Sequence, residues 1–213
     1  GYVVTNHHVV EGATSLSVIL YDGTTLDATL LASDEANDIA VLKITAKGLK
    51  PVVLGSAEQL NVGDTVLAIG NPLGELAFSL TSGIVSGLDR QVEMSNGYTM
   101  SLIQTECPIN SGNSGGPLFN MWGEVVGITT AKFSGQSTSG VSIEGIGFAI
   151  PINTALKVAY DLTEYGYVRG QAFLGIEVKT LDTRTAEYYG LPAGPRGDVL
   201  VEGSCAEKAG MQV

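Results

Sequence analysis

A succession of short runs rich in β-branched and apolar residues, each bounded by Gly, Pro, Asn or Ser, constrains this chain more than any other feature. Leu16–Leu20 and Leu26–Leu31 flank Asp22–Gly23, a dipeptide suited to the positive φ of a tight hairpin. Ile39–Ile44, Thr65–Ile69, Phe78–Ser86, Thr99–Thr105, Val125–Thr130 and Gly147–Ile150 continue the series, separated by clusters such as Asn71–Pro72 and Asn96–Gly97. Runs this short cannot each be a helix, and their spacing predicts barrels or a sandwich. Glycine supplies 28 of the 213 residues, nearly double the usual ~7%, as frequent tight turns require. The expected class is all-β.

One segment departs from that pattern. From Asn153, a good N-cap residue, Leu156, Ala159, Tyr160 and Thr163 recur at helical spacing, and Gly166 is a natural C-cap. A single helix is therefore expected to close a first domain over residues 1–166. Residues 167–213 begin a second, mixed unit, with Phe173–Val178, a helix at Thr185–Gly190, Val199–Glu202 and Ala206–Gly210. Gly1–Val4 enters directly as apolar, β-branched sequence, so the chain is expected to start inside a structural element, and the second unit to stop at Val213 unfinished. Gly135–Gly140 reads as a surface connection.

Charge and composition narrow the function. A net charge of −11 opposes nucleic acid and anionic lipid as partners, since both are polyanions. With 44% hydrophobic and 15% charged residues the chain can bury a substantial core. Cys107 and Cys205 lie far apart and form no CxxC pair, and there is no HExxH, so neither a metal site nor a cofactor is expected. No apolar run reaches the ~18–20 residues that span a bilayer, and no membrane contact is expected of this segment.

The most specific chemical signal is Asn110-Ser111-Gly112-Asn113-Ser114-Gly115-Gly116-Pro117-Leu118. A serine among glycines suits acyl transfer, because backbone N–H groups must converge on a developing oxyanion and glycines let the chain turn closely enough to supply them. Ser114 is the candidate nucleophile and Gly112, Asn113 and Ser114 the candidate oxyanion segment, with the N–H groups of Gly112 and Ser114 as donors. The same residues satisfy the G-x-S-x-G elbow of α/β-hydrolases. In that fold the histidine follows the serine, whereas the only histidines here, His7 and His8, precede it. The order His, Asp, Ser is the chymotrypsin order.

A general base near neutral pH is most often His, so one of this adjacent pair must serve, and adjacent side chains diverge too far for both to face one serine. Asp34, Glu35 and Asp38 cluster before Ile39–Ile44. Only Asp38 sits at the strand entry, where a carboxylate can be half buried and orient an imidazole. Asp34 and Glu35 read as solvated loop charges.

Tyr2–Val10 (YVVTNHHVV), Asn37–Ile44 (NDIAVLKI), Gly70–Gly74 (GNPLG), the GNSGGPL block and Gly145–Pro151 (GIGFAIP) together resemble the HtrA (Deg-type) serine proteases over nearly the whole chain. The resemblance places the base on His8, directly before Val9–Val10, with His7 where Asn is more usual and Ser111 where Pro is common. It implies two chymotrypsin-like barrels, the first lacking a strand or strands, followed by the start of a PDZ domain. Phe173, Leu174, Gly175 and Ile176 would form that domain's carboxylate-binding loop, too little of a PDZ domain to bind peptide ends well. Ile146, Gly147 and Phe148 fall where the family builds the pocket for the residue before the scissile bond, and Arg90 in loops that switch the site. The resemblance further implies an endopeptidase acting on unfolded polypeptides, outside the cytoplasm, as a homotrimer, often anchored through an upstream segment. A binding or chaperone-like module without turnover is the rival reading.

Overall fold

The computed structural model describes residues 1–71, 78–94, 97–110, 112–130, 145–170, 176–181, 188 and 194–200, with 176–181 and 194–200 described by backbone alone. The chain divides into two units, Gly1–Val168 and Arg169–Val213.

The first unit opens on a four-stranded antiparallel sheet in the order β1-β4-β3-β2, from β1 (Tyr2–Thr5), β2 (Leu16–Ile19), β3 (Thr25–Asp34) and β4 (Ile39–Ile44). A single helical turn, α1 (His7–Val10), follows β1. The register Thr5↔Ala40 sets that turn over the residue preceding β4. Both faces of β4 are covered. Ile39 and Val41 enter the core shared with the rest of the unit, while Ala40 and Leu42 pack with Val10 and, at its edge, Val3, Leu16 and Ala28.

The remainder is a closed six-stranded antiparallel barrel. Its strands are β6 (Thr65–Gly70), β7 (Ser79–Glu93), β8 (Thr99–Thr105), β9 (Pro117–Asn120), β10 (Glu124–Thr130) and β11 (Gly147–Pro151), with closure through β10–β11 pairing. The short β5 (Val53–Leu54) adds to β10 in parallel. Every barrel strand sends an apolar side chain inward: Val66 and Ala68, Val85, Ile103, Leu118, Val126 and Ala149. That is the period-2 alternation of a strand with one face toward a core. The architecture is thus the expected all-β pair of barrels, the first represented by its four-stranded sheet.

Helix α2 (Ile152–Tyr165) packs against β3, β4, β10 and β11. Its buried face is Ile152, Ala155, Val158, Ala159 and Leu162, whereas Leu156 and Tyr160 are exposed, so the apolar stripe is offset from the one its sequence suggested. The helix begins one residue before Asn153, with Pro151 as N-cap. The Asn153 side chain is used elsewhere: it accepts from Ala57 N–H at 2.9 Å and donates to Ser56 Oγ at 3.3 Å. Gly166 caps the C-terminus in the left-handed conformation, φ 77°, its N–H on Leu162 O. No described helix is long and apolar enough to cross a membrane.

In the second unit β12 (Ile176–Leu181) and β13 (Gly194–Leu200) pair antiparallel. The expected helix at Thr185–Gly190 lies outside the described residues but for Tyr188. So do Phe173–Gly175, Glu202, Cys205 and Ala206–Gly210, as well as Ser111 and Gly135–Gly140 of the first unit.

Candidate active site

Asp38 ends the β3–β4 connection with φ 51°, a left-handed conformation that Asp tolerates better than most residues. Two local features shape the turn: Asp38 N–H donates to Glu35 O at 3.2 Å, and Asp34 Oδ1 accepts from both Asn37 N–H and Asn37 Nδ2, at 2.8 and 2.7 Å. Asp34 is therefore a turn-forming residue, contrary to the solvated charge expected of it. The turn carries the Asp38 carboxylate back over α1. There His8 Nδ1–H donates to it, 2.8 Å from Oδ2 and 2.9 Å from Oδ1, and His8 backbone N–H donates to Oδ1 at 3.1 Å. Asp38 is only 6% exposed. A carboxylate on Nδ1 fixes the imidazole tautomer that leaves Nε2 able to accept a proton. His7 points elsewhere, its Nδ1 sharing a hydrogen bond with Ser33 Oγ at 2.9 Å.

Further contacts hold the acid from its far side. Thr130 Oγ1, at the end of β10, donates to Asp38 Oδ2 at 3.1 Å, and Asn6 Nδ2 donates to Asp38 O at 2.9 Å. Asn6 occupies the N-cap position of α1, yet its side-chain oxygen accepts no bond from the helix, and its amide bonds the Asp38 carbonyl outside it.

Ser114 lies in the turn at 112–115, between β8 and β9. Asn113 N–H donates to Asn110 O at 3.0 Å and Gly116 N–H to Asn113 O at 2.9 Å. Thr129 Oγ1 donates to the carbonyls of Asn113 and Gly116, and Gly115 N–H to Thr129 O at 2.8 Å. The Asn113 N–H is thus spent inside the loop, which leaves the N–H groups of Gly112 and Ser114 as the candidate oxyanion donors of the segment. The Asn113 side chain braces the loop, Nδ2 donating to Pro108 O at 3.1 Å.

Two glycines let this loop reach its place. A Cβ on Gly115, φ 78°, would lie 2.1 Å from Thr5 Oγ1 and 3.0 Å from Asn6 N. The residue after Ser114 is thus pressed against the segment that leads into His8. A Cβ on Gly70 would lie 2.2 Å from Asn113 Oδ1, so the end of β6 must also be bare. The neighbouring threonines of β10 consequently divide the work, Thr129 holding the serine loop and Thr130 the acid.

The expected pocket residues separate. Gly147 comes so near Ile109 that a Cβ would be 2.6 Å from Ile109 Cγ1, and Ile146 is 39% exposed. Phe148 is buried with Ile39, Val41, Ile128 and Ile150, on the face of β11 opposite the barrel-facing Ala149. Arg90 lies within β7, not on a loop, and its Nε donates to Gln104 Oε1 at 3.0 Å across the β7–β8 pair. Among the described residues, no three His, Cys, Asp or Glu side chains converge into a cation site.

Residues 1–128 match the trypsin-like peptidase domain family. The chain belongs to the trypsin-like peptidase family. Within it, the chain is 42% identical to the serine protease Do-like HtrA of Bacillus subtilis (strain 168) over 225 residues, 99% of this chain and 49% of the relative. It is 43% identical to a probable periplasmic serine endoprotease, DegP-like, of Ectopseudomonas mendocina (strain ymp) over 215 residues, 100% of this chain and 44% of the relative. The chain thus spans about half the length of these curated relatives. Among solved structures, the HtrA-type protease AlgW with a decapeptide superposes with a TM-score of 0.74 at 41% identity, covering 100% of this chain and 64% of that one. AlgW with a tripeptide gives a TM-score of 0.73 at 42% identity, covering 98% and 67%.

For a trypsin-like peptidase, the residues that sequence reasoning missed are those acting on the triad candidates from a distance in the chain. Asn6, Thr129 and Thr130 are fully or nearly fully buried polar side chains. Burial of a polar group demands a partner, but a threonine in a strand gives no sign of burial by its identity. Asn6 alone carried a hint, as a polar residue beside an apolar strand.

Proposed function

We propose that this chain is the catalytic part of an HtrA-type serine endopeptidase in which Ser114 is the nucleophile, His8 the general base and Asp38 the carboxylate that orients the base. The observation that carries this reading is the His8–Asp38 pair, closed by Thr130 from the barrel whose neighbouring Thr129 holds the serine loop. One strand end thereby ties all three groups together. His8 takes the Ser114 proton as the hydroxyl attacks a peptide carbonyl, Asp38 stabilises the imidazolium, and the proton passes to the leaving amine. Water then hydrolyses the acyl-enzyme by the same route. The N–H groups of Gly112 and Ser114 receive the oxyanion.

Ile109, Ile146 and Gly147 offer apolar walls and no buried acid, which favours small or medium aliphatic residues before the scissile bond. The names and bound peptides of the relatives support unfolded polypeptides as substrates and an extracytoplasmic setting, and we assign a homotrimeric assembly to the full protein. Residues 1–166 form the peptidase domain in this reading. Residues 167–213 belong to a PDZ domain, with 173–176 as its carboxylate loop.

The test is turnover of casein by the wild type and by Ser114→Ala. The reading expects cleavage by the first only, with the two proteins equally folded by circular dichroism. Equal cleavage by both would refute it, and a wild type that binds peptide without cleaving it would favour the binding-module reading.

A further inference from the structure

Among the exposed aromatic pairs of the described surface, one bridges the two halves of the first unit and is not used by the peptidase reading. Tyr21, in the β2–β3 hairpin, and Phe78, immediately before β7, meet edge to face with ring centroids 5.0 Å apart and planes at 61°. Aromatic rings are ordinarily buried for most of their area, yet Tyr21 is 86% and Phe78 52% exposed. Each ring comes from a different half of the unit: Tyr21 from the sheet that carries His8 and Asp38, Phe78 from the barrel that carries Ser114. The pair therefore straddles the junction on which the candidate triad lies.

Its distance from the serine loop is short in bonded steps. Ser79 pairs with Gly70, which puts Phe78 beside Asn71, and Asn71 N–H donates to Gly112 O at 2.9 Å. Phe78 is thus one strand pairing away from a residue bonded to the oxyanion segment. Both rings are held in place by their backbones. Tyr21 rides a turn closed by Leu20 N–H on Thr24 O and Gly23 N–H on Leu20 O, with Asp22 Oδ1 accepting from Thr24 N–H. Phe78 has φ 61°, a left-handed conformation that a bulky side chain seldom adopts and that surrounding structure must impose.

We infer that Tyr21 and Phe78 form a subsite for an apolar or aromatic side chain of the substrate on the amine side of the scissile bond. The inference rests on the peptidase reading. The amine side is assigned by elimination. The walls at Gly147 and Ile109 open β11, while Phe78 opens β7 with β8 between them, so the two lie on different stretches of the barrel rim. With the residue before the scissile bond held at the first, the chain beyond that bond is left for the second. Asp22 adds selectivity: its carboxyl is held below the ordinary carboxylate value by Thr24, first through the backbone N–H and then the hydroxyl. The negative charge beside the rings disfavours acidic side chains.

The experiment compares kcat/KM for two peptides identical on the acyl side, with Phe or Ser two residues beyond the scissile bond, in the wild type and in the double variant Tyr21→Ala/Phe78→Ala. The wild type should prefer Phe by about tenfold, the size of a well-placed aromatic contact, and the double variant by about twofold or less. Phe78→Tyr should retain the preference. An unchanged preference in the double variant overturns the inference. So does an equal fall with both peptides, which would make the pair a structural strap. A wild type that reacts with a fluorophosphonate yet shows no preference defeats the subsite alone. A wild type that neither reacts nor cleaves defeats the peptidase reading, and the subsite with it.

Discussion

Thr130→Val removes the only described hydroxyl on the candidate acid while keeping the shape of the side chain. Asp38 Oδ2 accepts from His8 Nδ1 and Thr130 Oγ1, and Oδ1 accepts from His8 N–H and also lies within reach of His8 Nδ1. Among the described residues, the threonine is thus the one hydrogen-bond donor to the carboxylate from the barrel half. Thr130 is 2% exposed, so water cannot take the place of its hydroxyl. A hydrogen bond to a charged group contributes about 1.5–3 kcal/mol, and each kcal/mol shifts the midpoint of a domain of this size by about 2–4 °C. The expected loss in Tm is therefore roughly 3–12 °C. The same carboxylate must hold still while an imidazolium forms, and a loss of ~1.4 kcal/mol in that transition state corresponds to a tenfold fall in kcat/KM. Thr130→Ser restores the donor and should recover most of both. Melting curves and hydrolysis of a chromogenic peptide read the two effects. A valine variant with wild-type Tm and rate, or a serine variant as impaired as the valine, would refute the reasoning.

Other expectations follow from the same contacts. Gly115→Ala puts a methyl group 2.1 Å from Thr5 Oγ1 at a residue with φ 78°, so it should cost at least about 2 kcal/mol in chemical denaturation; a neutral result would mean the serine loop is not pressed against β1. Gly166→Ala should cost about 1–2 kcal/mol through the left-handed cap alone, with kcat/KM unchanged.

The fold was legible wherever a run of residues had to satisfy its own backbone. Ile39–Ile44 and Thr99–Thr105 form strands at their expected bounds, since β-branched residues between turn clusters have few alternatives. Barrel closure by β10–β11 was not legible, because strand pairing partners leave no local trace. The two-residue β5 was too short to register as a pattern. Asn153 shows a propensity overruled: a good cap residue was taken by Ser56 and Ala57, almost a hundred positions away, and the helix began without it. At the site, Asp38 stood out by its place at a strand entry, and the serine by its glycines. Choosing between His7 and His8 required the family resemblance, since alternation says only that the two diverge. Thr130 bonds Asp38 across 92 positions, and such a contact is set by the packing of two sheets, not by either sequence neighbourhood.

The central claim is that Ser114 is activated by His8 under the control of Asp38. Peptide mapping of the chain after treatment with a fluorophosphonate tests it directly. A single adduct is predicted on Ser114 in the wild type, forming about 10³–10⁴ times more slowly in Asp38→Asn, where the tautomer of His8 is no longer fixed. An adduct on another residue, or equal labelling of Ser114 in the two proteins, would contradict it.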